Sequence, residues 1–318
     1  MTPAIRALGA GLLAVLRRPL LIAAAALAMF AATLPFGLIL GAELQTELAH
    51  QQPVSQGVTE IDPEWWQEFG ERAEGLAATF TPMILGFAAP LDNLSSLLDG
   101  TRRPLILLGP YALSIVVWAF LWGAALDRFV HGQAGSGFWR AGVTTFLPFA
   151  GISVIAAGLM LLLYFTLHWL LFGAIAETLQ SAASTEQGAF AGRLLLYLVF
   201  GAALVFVSLV AGYARVILVV SKGRAVASAL TASWRFVRAH VGSVVTLYLL
   251  TGALFVALLI AYGTLEVYGG SQVGGWRGVA IAQVYIVARL TIRLTFGASE
   301  LRLYEDRQAA AINHRKIA

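Results

Sequence analysis

Apolar and polar positions are not interleaved along this chain; they come in blocks. Six long, mostly apolar runs stand at Leu20–Ala42, Leu105–Leu126, Phe146–Phe172, Leu194–Tyr213, Val241–Leu265 and Val279–Ala298. A hydrocarbon core of ~30 Å takes about twenty such residues of helix, so each run can span. A further run, Leu76–Leu91, is shorter and is broken by Pro82 and Pro90. Two prolines there would free carbonyls that lipid cannot satisfy, so it reads as an interfacial or re-entrant piece. The pattern predicts an all-α polytopic membrane protein, one domain over residues 1–318, with six transmembrane helices and interfacial amphipathic helices. Composition agrees: 59% of the 318 residues are apolar and 12% are charged, against ~45–50% and ~25% in soluble domains. Disordered, collagen-like and two-domain soluble chains are excluded.

Charge orients the spans. Of the 21 lysines and arginines, only Arg72, Arg102, Arg103, Arg193 and Arg277 fall on one side of a six-span layout. Basic loops are retained in the cytoplasm, which predicts cytoplasmic N- and C-termini and a multi-pass protein of the bacterial inner membrane. Most acidic residues fall on the outer side, with those five arginines; Asp127, Glu300, Glu305 and Asp306 are the exceptions. The first run is full length and lacks a small-residue cleavage site, so it reads as an anchor rather than a cleaved signal.

Two stretches outside the spans carry patterns. Residues 43–103 form the outer, periplasmic loop, whose acidic first half holds Asp62-Pro63-Glu64-Trp65-Trp66. Proline after a capping aspartate marks a helix start. Trp65 and Trp66 then sit at headgroup level or form a docking surface for a periplasmic partner. In residues 221–240, Arg224, Arg235 and Arg238 share a narrow sector at ~100° per residue. Val226, Leu230, Trp234 and Val237 lie opposite. That pattern predicts a cytoplasmic interfacial helix on anionic lipid headgroups. Thr2–Leu16 is a weaker version.

The segments Tyr213–Arg224, Ala229–Phe236 and Leu247–Leu250, with Gly123–Arg128 and Gln283–Arg289, resemble a pattern of uncharacterised bacterial six-span membrane proteins. That group is loosely similar to the glycerophosphoryl diester phosphodiesterase membrane-domain type. The resemblance runs mainly over residues 121–300 and implies an architecture: span, connector, interfacial helix, span. It implies no activity, because the catalytic phosphodiesterase domain has no counterpart in this chain.

Reactive chemistry is sparse. The chain has no cysteine, which removes thiolate metal sites and cysteine nucleophiles. No two of the five histidines stand at metal-binding helical spacing, and phosphate-binding glycine loops are absent. No cofactor, metal or nucleic-acid partner is expected. Charges inside the membrane are costly and need a reason. Arg289 lies about twelve residues into the sixth span, ~18 Å deep at 1.5 Å per residue, with Arg293 one turn on and Gln283 before it. Asp127 and Glu300 are the acids near that depth. The arginines can tie spans together, bind an anionic lipid headgroup, or line a substrate or proton path. His168 sits beside aromatics in the third span; it can bond a carbonyl or ligate a haem or pigment. Gly37-x-x-x-Gly41 and Ser208-x-x-x-Gly212 allow close helix packing.

With so little buried polar chemistry, the sequence points to a non-catalytic accessory or scaffold subunit of a larger inner-membrane assembly, an energy-transducing one included, bound to other membrane-protein subunits and to anionic lipid. The alternative is a transporter or lipid-handling protein using Arg289 and Arg293 for an anionic ligand. No nucleophile or base can be named for an enzyme.

Overall fold

Hydrocarbon offers no hydrogen-bond partner to a peptide group, so a spanning segment must satisfy its backbone internally. This chain does so with helices. The structure, a computed structural model, describes residues 2–49, 63–75, 77–79, 88–100, 107–132, 137–182, 185–223, 225–269 and 275–317. In chain order these are α1 (Pro3–Leu16), α2 (Pro19–Ala49), α3 (Pro63–Arg72), α4 (Ala88–Asp99), α5 (Leu108–His131) and α6 (Phe138–Leu163). The last continues as a π-helix (Tyr164–Ile175) into α7 (Ala176–Ala182), followed by α8 (Glu186–Val220), α9 (Val226–Ala239), α10 (Val241–Gly269) and α11 (Gly275–Ile317). Among the described residues no strand occurs. Six helices are long and apolar enough to cross a membrane: α2, α5, α6 through α7, α8, α10 and α11. The chain is a multi-pass membrane protein. The third span starts at Phe138, ahead of the apolar run, and α11 continues for 43 residues, well past the expected end at Ala298.

Local signals act where expected. Pro3, Pro19 and Pro63 each open a helix, a position where the missing N–H has no partner to lose. The Thr185 hydroxyl accepts from the Gly188 N–H at 3.1 Å and caps α8. Within the segment Leu76–Leu91, the described residues form only a 3-10 turn at Ala77–Thr79 and the start of α4; residues 76 and 80–87 lie outside the description.

Packing is concentrated at one end of the bundle, the end where α1 lies against the second half of α11. There one apolar cluster joins Val15, Leu21 and Ala25 to Trp118, Phe129, Phe149, Val216, Leu294 and Leu301. A second joins Ala4 and Ala7 to Tyr213, Phe236, Leu247 and Leu303. α5 is the central span and α2 the most peripheral: 44% against 6% of their most apolar windows is buried inside the protein. Toward the other end the clusters are small, and the spans diverge.

Two expectations change here. α1 is not a free interfacial helix. Ala4, Ala7, Gly11, Ala14 and Val15 are buried, and a Cβ at Gly11 would lie 2.7 Å from the Ser299 backbone nitrogen, so only glycine permits this approach. α9 turns part of the predicted apolar stripe inward, with Val237 buried and Val226 and Leu230 partly buried against the core, but not Trp234. Its buried face is Ala229, Ser233, Phe236 and Val237, and the Ser233 hydroxyl donates to the Val210 carbonyl of α8 at 2.7 Å. Packing against α8 sets the rotation of α9, leaving Trp234 half-exposed against Phe206. Among the described residues, Gly37 and Gly41 meet no neighbour within 4 Å, so that motif seats none of the described helices.

Gly11→Val should therefore separate α1 from α11. Overpacking of this kind costs roughly 1–3 kcal/mol and should lower the melting temperature in detergent. Gly9→Val is the control, since a Cβ there meets nothing within 4 Å; equal losses for both would contradict the packing.

Candidate functional site

α11 brings charge into the membrane region on one face. At ~100° per residue, Arg289, Arg293 and Glu300 fall within about 40° of one another. Arg289 is thirteen residues beyond Trp276, where the span begins, or ~20 Å along the helix. Neither Arg289 nor Arg293 forms an ion pair with a carboxylate among the described residues. Aromatic rings take the place of acids. The Arg289 guanidinium lies 5.6 Å from the Phe255 ring centroid and 5.5 Å from that of Tyr285. The Arg293 guanidinium lies 3.5 Å from the Trp118 centroid. Ring faces carry partial negative charge, so each contact offsets some of the desolvation, but no ring neutralises a cation.

Both arginines open onto a cleft of about 1080 Å³. Its walls are α2 (Met29, Phe30, Thr33, Leu34, Gly37), α10 (Tyr248, Thr251, Gly252, Phe255) and α11 (Gln283, Val287, Arg289, Arg293, Phe296), with Trp118 of α5 behind. The cleft exists because α2 is held mainly at its start, through Leu21 and Ala25, and stands away beyond Met29. Pro35 inside α2 cannot donate to a carbonyl one turn back, which loosens the helix alongside the cleft. Both guanidinium-bearing residues keep accessible surface and line the cleft. No acidic residue lines it. Arg289, Arg293 and Gln283, singled out from the sequence, are thus brought together.

Toward the packed end the same face of α11 carries Glu300, 4% exposed, with Oε1 lacking a hydrogen-bond partner. A Cβ at Gly212 of α8 would lie 2.5 Å from that oxygen; the Ser208-x-x-x-Gly212 motif makes room for a carboxylate. Arg215, one turn along α8, is the opposite charge acting on Glu300, and its Nη2 donates to the Ser153 hydroxyl at 3.1 Å. Its Nε is buried without a partner. Tyr213 between them is fully buried. Among the described residues, this face thus combines the guanidinium groups of Arg289 and Arg293 with the buried carboxylate of Glu300 and the facing guanidinium of Arg215.

The other predicted residues are dispersed. Asp127 does not meet Arg289 or Arg293; its Oδ1 pairs with His131 Nδ1 at 3.0 Å, one turn on in α5. Arg235 and Arg238 are exposed on α9, where headgroups can reach them, and Arg238 lies over the Trp234 ring. Arg224 lies outside the described residues. Trp65 and Trp66 belong to α3, with their side chains outside the description. His168 is placed by the π-helix and donates from Nε2 to the Leu98 carbonyl at 3.1 Å. The Tyr164 hydroxyl donates to the Leu97 carbonyl, so two unpaired carbonyls at the end of α4 are satisfied from the third span. Tyr197 of α8 donates to Asp99, and this bond, with one from Ser95, holds the Asp99 carboxyl below the usual carboxylate range. With Nε2 so engaged, a haem or pigment could use it only by undocking α4. Sequence reasoning placed Glu300 near the depth of Arg289 but missed Arg215 as the interior group facing it, although the small residue at Gly212 was a signal.

Arg215 and Glu300 act on each other through space rather than as a contact ion pair. Removing one of two opposite buried charges leaves the other uncompensated, at a cost of up to about 3 kcal/mol. Arg215→Leu should sharply lower the melting temperature in detergent, and Glu300→Gln added to it should recover part of the loss. Strictly additive losses in that double-mutant cycle would show that the two side chains do not act on each other.

In comparisons with protein families, curated proteins and solved structures, nothing matches this chain.

Proposed function

We propose that this chain is a lipid-handling membrane protein that takes the acidic group of a lipid onto Arg289 and Arg293, with the hydrocarbon tail in the cleft between α2, α10 and α11. One observation carries the reading: two guanidinium groups without a carboxylate open onto an apolar cleft in the middle of a membrane-spanning bundle. A cation at that depth is expensive, and an anion that brings its own apolar tail both neutralises it and fills the cleft. Arginine suits the task because its fork bonds carboxylate or phosphate oxygens in pairs. The loosely held α2 supplies a lateral door. No bond is made or broken in this reading.

The Lys and Arg distribution supports a bacterial inner-membrane location with both termini cytoplasmic. The charged group would then sit in the cytoplasmic half of the bilayer. A subunit role in a larger assembly is favoured by a separate observation: only 6% of the most apolar window of α2 is buried inside the protein, which leaves its outer surface for a helix of another protein. A chain that migrates alone at its own mass in mild detergent would speak against that second role.

A photoreactive fatty acid incorporated in proteoliposomes tests the first. Cross-links should map to α2, α10 and α11 around the cleft. Arg289→Ala with Arg293→Ala should cut labelling about tenfold, the equivalent of ~1.4 kcal/mol, while Arg289→Lys with Arg293→Lys retains part of it. Labelling spread evenly over the lipid-facing helices, or unchanged in the alanine variant, would remove the basis of the proposal.

A further inference from the structure

At the packed end, away from the cleft, four arginines from three parts of the chain converge on one pocket. Arg17 and Arg18 come from the α1–α2 turn, Arg128 from the end of α5, and Arg302 from α11. The pocket has a volume of about 1040 Å³, and no acidic residue lines it. Arg302 shares one carboxylate, Glu305 at 2.8 Å. Arg18 spends one N–H on the Ala14 carbonyl at 2.8 Å and lies over the Phe129 ring. Arg128 makes one long bond of 3.4 Å to the Gly132 carbonyl. Each guanidinium has five N–H donors, so most remain unused. Burial, together with the positive charges of Arg302 and Arg128, lowers the Arg18 pKa from its ordinary value, which places the like charges within reach of one another. Such a cluster repels itself unless an anion enters it.

A second feature adjoins it. An apolar groove of about 760 Å³ runs between α2, α5 and α6, walled by Leu27, Ala28, Val117, Phe120, Val143 and Phe146. Ala24 and Phe138 line both the groove and the arginine pocket. A basic pocket therefore leads directly into an apolar channel open to the bilayer, which matches the head and tail of a phospholipid. Basic pockets between spans are a known way to hold multiply charged headgroups.

We propose that this end of the protein carries a second site, in which Arg17, Arg18, Arg128 and Arg302 hold the headgroup of a doubly negative phospholipid and the groove between α2, α5 and α6 holds one of its acyl chains. The site rests on residues separate from Arg289 and Arg293, so it stands or falls independently of the cleft. Held there, the lipid bridges the α1–α2 turn to α5 and α11, fastening α2 at the one end where it is packed.

The full-length protein, delipidated in detergent, is titrated with cardiolipin, phosphatidate, phosphatidylcholine and inorganic phosphate by native mass spectrometry. Cardiolipin or phosphatidate should bind at least about tenfold more tightly than phosphatidylcholine, with the preference weakening as salt rises. Arg18→Gln with Arg128→Gln should abolish that preference. The more exposed pair, Arg17→Gln with Arg302→Gln, should reduce it several-fold without threatening the fold. Ala28→Trp, which fills the groove, should weaken phospholipid but not inorganic phosphate, and Arg289→Ala with Arg293→Ala should leave the preference intact. Equal binding of phosphatidylcholine, or an unchanged preference in both glutamine variants, overturns the site. Inorganic phosphate displacing the phospholipid at comparable concentration makes it a free-phosphate pocket and overturns the lipid assignment. Loss only in the Arg289/Arg293 variant moves the bound lipid to the cleft and overturns the second site.

Discussion

Lipid gives nothing back to a charge, and that constraint organises this molecule. Every guanidinium carried into the bundle must find its compensation in the chain or in something the chain binds. Arg215 finds a hydroxyl at Ser153 and the field of Glu300. Arg293 finds the Trp118 ring, and Arg289 the rings of Phe255 and Tyr285. Polarizable rings soften the cost without cancelling the charge. The residual positive charge on one face of α11 is therefore the feature that most needs a physical reason, and an acidic lipid supplies one.

Packing decides where that charge becomes accessible. Small residues at Ala4, Ala7, Gly11 and Gly212 let α1, α8 and α11 close tightly at one end of the bundle. Little comparable packing holds α2 beyond Ala25, and Pro35 weakens its backbone ladder. The tight end fixes α11 in rotation, so Arg289 and Arg293 line the cleft, against Phe255 of α10 and Trp118 of α5. The loose end leaves the space that α2 would otherwise fill. Elements with few buried contacts are also those that open at the lowest cost, so α2 is the natural moving part beside the cleft. A lipid clasped by the four arginines at the other end would hold the hinge of that motion still.

Much of this was legible without coordinates. Hydrophobic run length is a local property dictated by bilayer thickness, which is why the six spans follow from counting. Arg289 and Arg293 stood out because a charge inside such a run is costly wherever it points. Less visible were groups whose meaning depends on a distant partner. Glu300 read as a residue just past a span, since nothing local shows that α11 runs on and that Gly212 opens a space for it. Arg17, Arg18, Arg128 and Arg302 read only as orientation charges, because nearly three hundred residues separate the first from the last. The burial of Ser233 on α9 was hidden for a related reason. Periodicity ranks faces by hydrophobicity, whereas Ser233 is buried because its hydroxyl meets a carbonyl on α8.

The order of apolar and polar residues thus determined by itself that the chain lives in a membrane, how many times it can cross, and which two cations lie deep within it. Those outcomes depend on transfer from water to hydrocarbon, a cost paid residue by residue. Only the tertiary structure decided that the two cations share a cleft, that Glu300 opposes Arg215, and that four scattered arginines form one pocket. Those outcomes depend on helix rotation and close approach, which no single segment specifies.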